Sequence, residues 1–321
     1  MTGRAVVIFL ARRLVVLGLL LVVISFAVFS LVYVAPGSVV DILLGINPRT
    51  PETVRALREK HHLDEPFFEQ YWIWAREALQ LNFGNSAQST LPVTDEIKAR
   101  LPTSLFLGIY AYIMTMVIGV GLGVGAALRR QSAVDRGLVG GAVIGLSTPV
   151  FVSGLFLLYV FASVLHWFPA FGAGDGFWDG AWHLTLPAVS LALVGSAYVM
   201  KHTRAALIGV LDQDYVTFAR ARGLSARRIL FMYTLRNALI PVATISALLL
   251  GFMIAGAVLV EVTFSIQGIG WLLVQSATSR DLPMIQGVAI VVAIVVMLAN
   301  LLADLAYVLL DPRIRFGNRS A

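Results

Sequence analysis

The sequence predicts an all-α, polytopic membrane protein of about six spanning helices, with both termini on the cytoplasmic side. Three observations predict it. Of 321 residues, 58% are hydrophobic and only 13% are charged, against roughly 25% charged in a soluble domain. A soluble chain with that balance would expose large apolar patches, so lipid must be the solvent for much of its surface. The apolar residues also fall in blocks near the length of about 20 that crosses a hydrocarbon core. Finally, the basic residues are concentrated in alternate connecting segments.

The apolar blocks are 14–35, 103–128, 137–165, 184–209, 238–260 and 284–309, each bounded by charges or by Pro and Gly. The first follows Arg12 and Arg13. It exceeds the roughly 7–15 residue core of a signal peptide and shows no small-x-small cleavage site before Pro36, so it reads as a retained span. The second carries Gly119, Gly121, Gly123 and Gly125, a spacing that suits either close helix approach or a merely flexible helix. Pro149 is expected to kink the third, where freed carbonyls could line a cavity.

Counting basic residues sets the orientation. With the N-terminus inside, the inner segments hold Arg4, Arg12, Arg13, Arg129, Arg130, Arg136, Lys201, Arg204, Arg220, Arg222, Arg227, Arg228, Arg236, Arg313, Arg315 and Arg319, 16 of the 24 Lys and Arg. The only acids there are Asp135, Asp212, Asp214 and Asp311. Retention of positive charge in cytoplasmic loops also accounts for the net charge of +6, without a nucleic-acid partner. Three regions follow: 1–35, a tail and first span; 36–102, a large extracytoplasmic segment; and 103–321, a five-helix core with an inner loop at 204–237. Helix-like stretches are expected around Pro51–Lys60 and Glu69–Leu79. The short outer segment 166–183 is aromatic, through Trp167, Phe168, Phe171, Phe177, Trp178 and Trp182, and reads as an interfacial anchor.

Much chemistry is missing. The three lysines, Lys60, Lys98 and Lys201, lie outside any G-x-x-x-x-G-K-S/T loop, so this chain carries no phosphate cradle for ATP. There is no Cys, no H-E-x-x-H, no G-x-S-x-G and no cluster with metal-ligand spacing. His61 and His62 are adjacent and would not share a helix face. Among ionisable groups only Asp304 falls clearly inside a span, with Glu261 and Lys201 near span ends. An ion-coupled carrier needs a relay of such groups, and an intramembrane enzyme needs a Ser–His, paired-Asp or metal arrangement. Neither is present, so the energy source is expected on another chain.

The inner loop carries the most local information. Residues 214–241 read DYVTFARARGLSARRILFMYTLRNALIP. Tyr215, Phe218, Ala219 and Ala221 recur at near-helical spacing, Gly223 breaks the helix, and Ser225 can cap the next one. Small residues at Ala219, Ala221 and Gly223 leave room for a partner, and Arg220, Arg222, Arg227 and Arg228 rim the element. Either a protein or anionic headgroups could face such a surface.

These residues resemble the cytoplasmic signature of permease subunits of binding-protein-dependent ABC importers. The general pattern is E-A-A, three residues, Gly, nine residues, I-x-L-P. With Gly223 as its Gly, Thr217, Phe218 and Ala219 take the first three places, Tyr233 and Leu235 the Ile and Leu places, and Arg236 the Pro place. The first two and the last depart from it. The dipeptide/oligopeptide/nickel branch, in its B-type subunit, reads D-Y-V/I-R-T-A-R-A-K-G-L. Asp214, Tyr215, Ala219, Arg220, Ala221, Gly223 and Leu224 match that form, with Phe218 where Thr is usual. Similar agreement runs through Leu63–Asp64–x–Pro66, Gln70–Tyr71, Trp74, Asn82–Phe83–Gly84–Asn85–Ser86, Pro92–Val93, Ile97 and Arg100–Leu101–Pro102–Thr103. It continues through Phe264–Ser265, Gly268–x–Gly270, Arg280–Asp281–x–Pro283 and Asp311–Pro312–Arg313, with Gln267 replacing an expected Pro.

The resemblance implies a type I importer permease in a bacterial cytoplasmic membrane. It implies a heterodimer with a second permease, two ATPase subunits that hold the ATP and Mg, and an extracytoplasmic binding protein. The cargo would be dipeptides or short oligopeptides, with nickel, glutathione or another small solute as alternatives. Tyr215, Thr217, Ala219, Arg220, Ala221, Gly223 and Leu224 would then form the ATPase-coupling element. Pathway candidates are Ser147, Thr148, Pro149, Ser190, Ser196 and Asp304. Phe264, Gln267, Gly268 and Gly270 are candidates for contact with the binding protein.

Overall fold

Lipid offers no hydrogen-bond partner to the backbone, so long uncharged stretches satisfy their amides within helices. The computed structural model describes residues 3–34, 38–44, 48–60 and 62–310. Pro36, His61, Asp311–Pro312–Arg313, Arg315 and Arg319, to which the sequence reading assigned roles, lie outside them. The described elements are α1 (Gly3–Val34), α2 (Val39–Leu44), α3 (Pro51–Lys60), α4 (Phe67–Leu79), α5 (Val93–Leu128), α6 (Ala133–Ser147) and α7 (Val150–Leu157), which widens into π-helical turns at Leu158–Val164. Then come α8 (Gly176–His183), α9 (Thr185–Leu211), α10 (Asp214–Ala221) and α11 (Ala226–Arg228). A second π-helical stretch, Ile229–Leu235, leads into α12 (Arg236–Thr263), α13 (Ile269–Ser279) and α14 (Leu282–Leu310).

Among the described residues, four helices are long and apolar enough to cross a bilayer, at Ala11–Val34, Val93–Leu128, Pro241–Thr263 and Leu282–Leu305. Two bent pairs raise the number to six if each is one span: Ala133–Ser147 with Val150–Val164, and Gly176–His183 with Thr185–Leu211. Two boundaries differ from the sequence reading. Helix α5 begins at Val93, not 103, because loss of apolarity at its start marks emergence from lipid and not the end of the helix. The expected kink at Pro149 is a break of 106°. Thr148 turns its hydroxyl back onto the Ile144 carbonyl (2.8 Å) and ends α6, while Pro149, which has no N–H to donate, opens α7.

The chain forms two compact units, Met1–Ser104 with Gln267–Met297, and Leu105–Ile266 with Leu298–Ala321. In the first, aromatic residues of α1 and α4 interlock: Phe29 lies 5.6 Å from Trp74 and Phe26 lies 5.3 Å from Tyr71, centroid to centroid. Buried Gln70 accepts from the Tyr33 hydroxyl and donates to the carbonyls of Glu65 (2.7 Å) and Leu63 (3.4 Å). That bond set fastens the Leu63–Pro66 turn to α1. Asp281, 3% exposed, does the same for the turn after α4. Its carboxylate accepts from the Ser86 hydroxyl, from the Ala87 amide (3.1 Å) and from the Met284 amide (3.3 Å) in the first turn of α14. Met284, Val288, Val93, Ile97 and Phe83 fill the core beneath.

In the second unit α9 is central, packing against α6, α7 and α12. Its seam with α5 is made by missing side chains. A Cβ on Gly119 would lie 2.7 Å from the Val199 Cβ, and one on Gly123 would lie 2.6 Å from the Thr203 Cβ and 2.8 Å from the Met200 carbonyl. Gly121 and Gly125 meet nothing within 4 Å. Of the four glycines, then, one helical face serves close approach. One turn earlier on the same face of α9, a Cβ at Gly195 would collide with Thr115 of α5 (2.8 Å) and with Met253 of α12 (2.9 Å).

Two tests follow. Gly123→Leu should cost about 3 kcal/mol through overpacking against backbone, whereas Gly121→Leu should stay within about 0.5 kcal/mol; thermal unfolding in detergent distinguishes them. Ser86→Ala removes one charge-assisted hydrogen bond worth about 2 kcal/mol. Protease nicking between residues 80 and 92 should accelerate by at least tenfold, on the order of the open population's rise.

Candidate functional site

The loop between α9 and α12 folds into an elbow. Gln213, in extended conformation (ψ 147°), opens α10, and Asp214 lies in the first turn where the helix dipole favours a negative charge. Val216 and Ala219 turn inward and pack on Ile229, with Val210, Leu211 and Leu224 around them. The end of α10 is fixed by two bonds: Gly223 N–H donates to Arg220 C=O (2.9 Å) and Leu224 N–H to Ala219 C=O (3.3 Å). This paired closure needs a left-handed residue at Gly223, whose φ is +76°, and Leu224 supplies its usual hydrophobic contact. Ser225 then caps α11 by accepting from the Arg228 amide (3.4 Å). Across the elbow, Asn237 donates to the Tyr215 hydroxyl at 3.2 Å and to the Tyr233 carbonyl at 2.8 Å.

The opposite face of the elbow is open. Tyr215, Thr217, Phe218, Ala221 and Arg220 are exposed, with Arg222 and Arg227 beside them. Phe218 is 68% exposed, and Phe231 and Met232 add apolar surface on the following turns. The sequence places Ala219 and Leu224 in the coupling element along with Tyr215, Thr217, Arg220, Ala221 and Gly223. The structure puts Ala219 and Leu224 on the supporting side, because a helix this short must spend one face on its own small core. Phe218, Phe231 and Met232 were absent from that set. The i, i+3 relation of Tyr215 to Phe218, on the face opposite Val216, was the signal available.

The other candidate residues separate less well by role. Ser147 and Pro149 are exposed at the 106° break, and Thr148 is half-buried there. Ser190 and Ser196 face packed interior: Ser190 is 0% exposed and donates to the Pro187 carbonyl (2.8 Å), and Ser196 donates to that of Leu193 (3.1 Å). Asp304 is half-buried on α14. Near the end of α12, Phe264 is 1% exposed, and Gly268 and Gly270 are also buried; only Gln267 of that set reaches the surface. Phe264, Gly268 and Gly270 are thus enclosed within this chain, and Gln267 is the exposed residue beside them. The two glycines lie at the buried start of α13, where Ile269 N–H donates to the Ser104 hydroxyl (2.7 Å). Several motif residues meet elsewhere in the first unit, where a cavity of about 290 Å³ is lined by Leu63, Gln70, Trp74, Asn82, Asn85 and Pro283, among others.

A prediction isolates the elbow's geometry. A Cβ on Gly223 meets nothing within 4 Å, so only the backbone resists substitution. Gly223→Ala should cost about 1 kcal/mol and Gly223→Asn less, since Asn tolerates the left-handed region. Hydrogen exchange at the Leu224 amide should rise in that order.

Residues 119–316 match the family described as binding-protein-dependent transport system inner membrane component, and residues 6–108 match the N-terminal region of such membrane components. The chain is 36% identical to the probable peptide ABC transporter permease protein y4tP of Sinorhizobium fredii, over 96% of this chain and 99% of that one. Over the same shares it is 36% identical to the oligopeptide transport system permease protein AppB of Bacillus subtilis and 35% identical to the glutathione transport system permease protein GsiC of Shigella flexneri. Among solved structures it is similar to the inward-facing MetNI methionine ABC transporter, with a TM-score of 0.57 at 15% identity over 67% of this chain and 96% of that chain. An amino acid ABC transporter gives a TM-score of 0.50 at 20% identity, over 66% and 92%. At such identities these two likenesses speak to fold.

Proposed function

The chain belongs to the family of binding-protein-dependent transport system inner membrane components, and from that premise we propose that it forms half of the translocation pathway of an ATP-driven importer of dipeptides and short oligopeptides. The other half is a second permease. Two ATPase subunits supply the work, and a binding protein outside the bacterial cytoplasmic membrane delivers cargo. The three relatives are described as permeases for peptides, oligopeptides and glutathione, itself a peptide, which supports the substrate class. The absence of a phosphate-cradling loop from the whole sequence fits a division of labour in which nucleotide binds elsewhere.

One observation carries the reading. The elbow holds an exposed aromatic pair, Tyr215 and Phe218, with an arginine rim, on a helix whose back is fixed to the chain. With the basic loops inside, this surface faces the cytoplasm. Exposed aromatics ringed by Arg are the composition of an interface centre. When ATP draws the ATPases together, α10 is displaced with them, and the attached spans exchange inward and outward openings as rigid bodies. In this scheme Gly223 and Leu224 set the angle of α10, and Tyr215, Thr217, Phe218, Arg220 and Ala221 make the contact. Ser147, Thr148 and Pro149, at the broken span, remain the best-placed of the pathway residues, and Gln267 the best-placed for the binding protein.

Phe218→Asp should therefore weaken ATPase association about 30-fold, the size of a 2 kcal/mol anchor. Membrane insertion and recovery of the second permease should be unchanged. Co-purification in mild detergent, followed by peptide-stimulated ATP hydrolysis with the binding protein, measures this. Full ATPase recovery with Phe218→Asp would remove α10 as the docking element.

A further inference from the structure

Two ion pairs stand directly behind the elbow. Arg204, on α9 two turns before Leu211, donates from Nε and Nη2 to the two carboxylate oxygens of Asp135, at 2.6 and 2.7 Å. Asp135 is 3% exposed and lies in the first turn of α6. Its carboxylate also accepts from the Gln131 amide (2.9 Å), and its own amide donates to the Ser132 hydroxyl (3.2 Å). The second pair is more open. Arg130 Nη1 donates to both oxygens of Asp212, at 2.8 and 3.1 Å, and Asp212 is the joint between α9 and α10. Both side chains are about half exposed, so screening weakens this one.

The connections these bonds make are specific. They tie the α5–α6 corner to the last turns of α9, from which the elbow hangs. A planar guanidinium gripping both oxygens of a carboxylate fixes orientation as well as distance. The α5–α9 seam at Gly119 and Gly123 closes the third side of this frame. Beyond the corner, α6 runs to the 106° break at Ser147–Pro149.

We propose that the Asp135–Arg204 pair is a mechanical latch, with Arg130–Asp212 as its outer stay, through which displacement of α10 carries α6 along and so moves the broken span. Asp135 and Arg204 are positioning residues for transport; they contact neither cargo nor nucleotide. The proposal rests on the reading of α10 as the element the ATPases move. Without the latch, α9 and α10 shift while α6 lags, and ATP is hydrolysed without opening the pathway.

The test uses the complete complex of this chain, the second permease, the ATPases and the binding protein, reconstituted in vesicles with a dipeptide as probe. Asp135→Asn keeps the shape and removes the charge, Arg204→Gln removes the fork, and Arg204→Lys restores charge without the fork. In Asp135→Asn and Arg204→Gln, the ATPases should co-purify normally while dipeptide moved per ATP hydrolysed falls about tenfold, within the range seen for residues along a coupling route. Arg204→Lys should recover part of it, to a loss of about threefold, and Arg130→Gln should lose about twofold. A second readout needs no ATPase. The chain has no Cys, so spin labels at Arg136→Cys and Ala226→Cys report only the separation of the α6 base from the elbow. That distance distribution should be narrow with the latch intact and broad in Asp135→Asn. An unbroadened distribution, or unchanged transport per ATP in Asp135→Asn and Arg204→Gln, overturns the latch. Normal ATPase recovery with Phe218→Asp would instead overturn the elbow reading, and the spin-label result would still decide whether α6 and the elbow move together.

Discussion

The second unit depends on how closely α5 and α9 approach. Nothing larger than hydrogen fits at Gly119 and Gly123, where Val199, Thr203 and two backbone carbonyls of α9 occupy the space a side chain would need. Lipid supplies no hydrophobic force between helices, so such contact is held by dispersion over a dry, well-fitted seam. With α9 held there, its other faces take α6, α7 and α12. Its last turns then place α10 outside the apolar region. A helix fixed in this way along its length can transmit force from one end.

The first unit adds polar means to a similar end. Two of its turns are each fastened by one buried side chain with several bonds. Gln70 holds the Leu63–Pro66 turn, and Asp281 holds the Ser86–Ala87 turn while capping α14. A buried carboxylate is tolerable only when such donors surround it. Residues from motifs nearly two hundred positions apart are therefore partners in one clasp.

The elbow and its latch differ in how they are written. The elbow's stop is a nearest-neighbour device: a left-handed Gly223, the apolar Leu224 after it and the capping Ser225 fall within a few residues, so sequence spacing foretold the corner. The inward face was harder, because Ala219 reads as an open, small position until Ile229 is seen to cover it. The latch left no such trace. Asp135 and Arg204 are 69 residues apart, and by composition each was one more charge in a basic loop. The burial of Phe264, Gly268 and Gly270 was hidden as well. Glycine next to a span end suits an exposed loop and a tightly packed one equally, and composition does not distinguish the two.

By itself the sequence determined the solvent, the number of apolar blocks, the absence of a nucleotide cradle and the position of the corner at Gly223. Those follow from the hydropathy of contiguous residues and from backbone preferences that act over one or two turns. Which face of each helix is covered, which glycines are seams and which charges are bonded was decided only by tertiary structure. Those properties belong to pairs of residues brought together by packing, and lipid-facing and core-facing positions carry much the same apolar side chains, so no periodicity in the chain separates them.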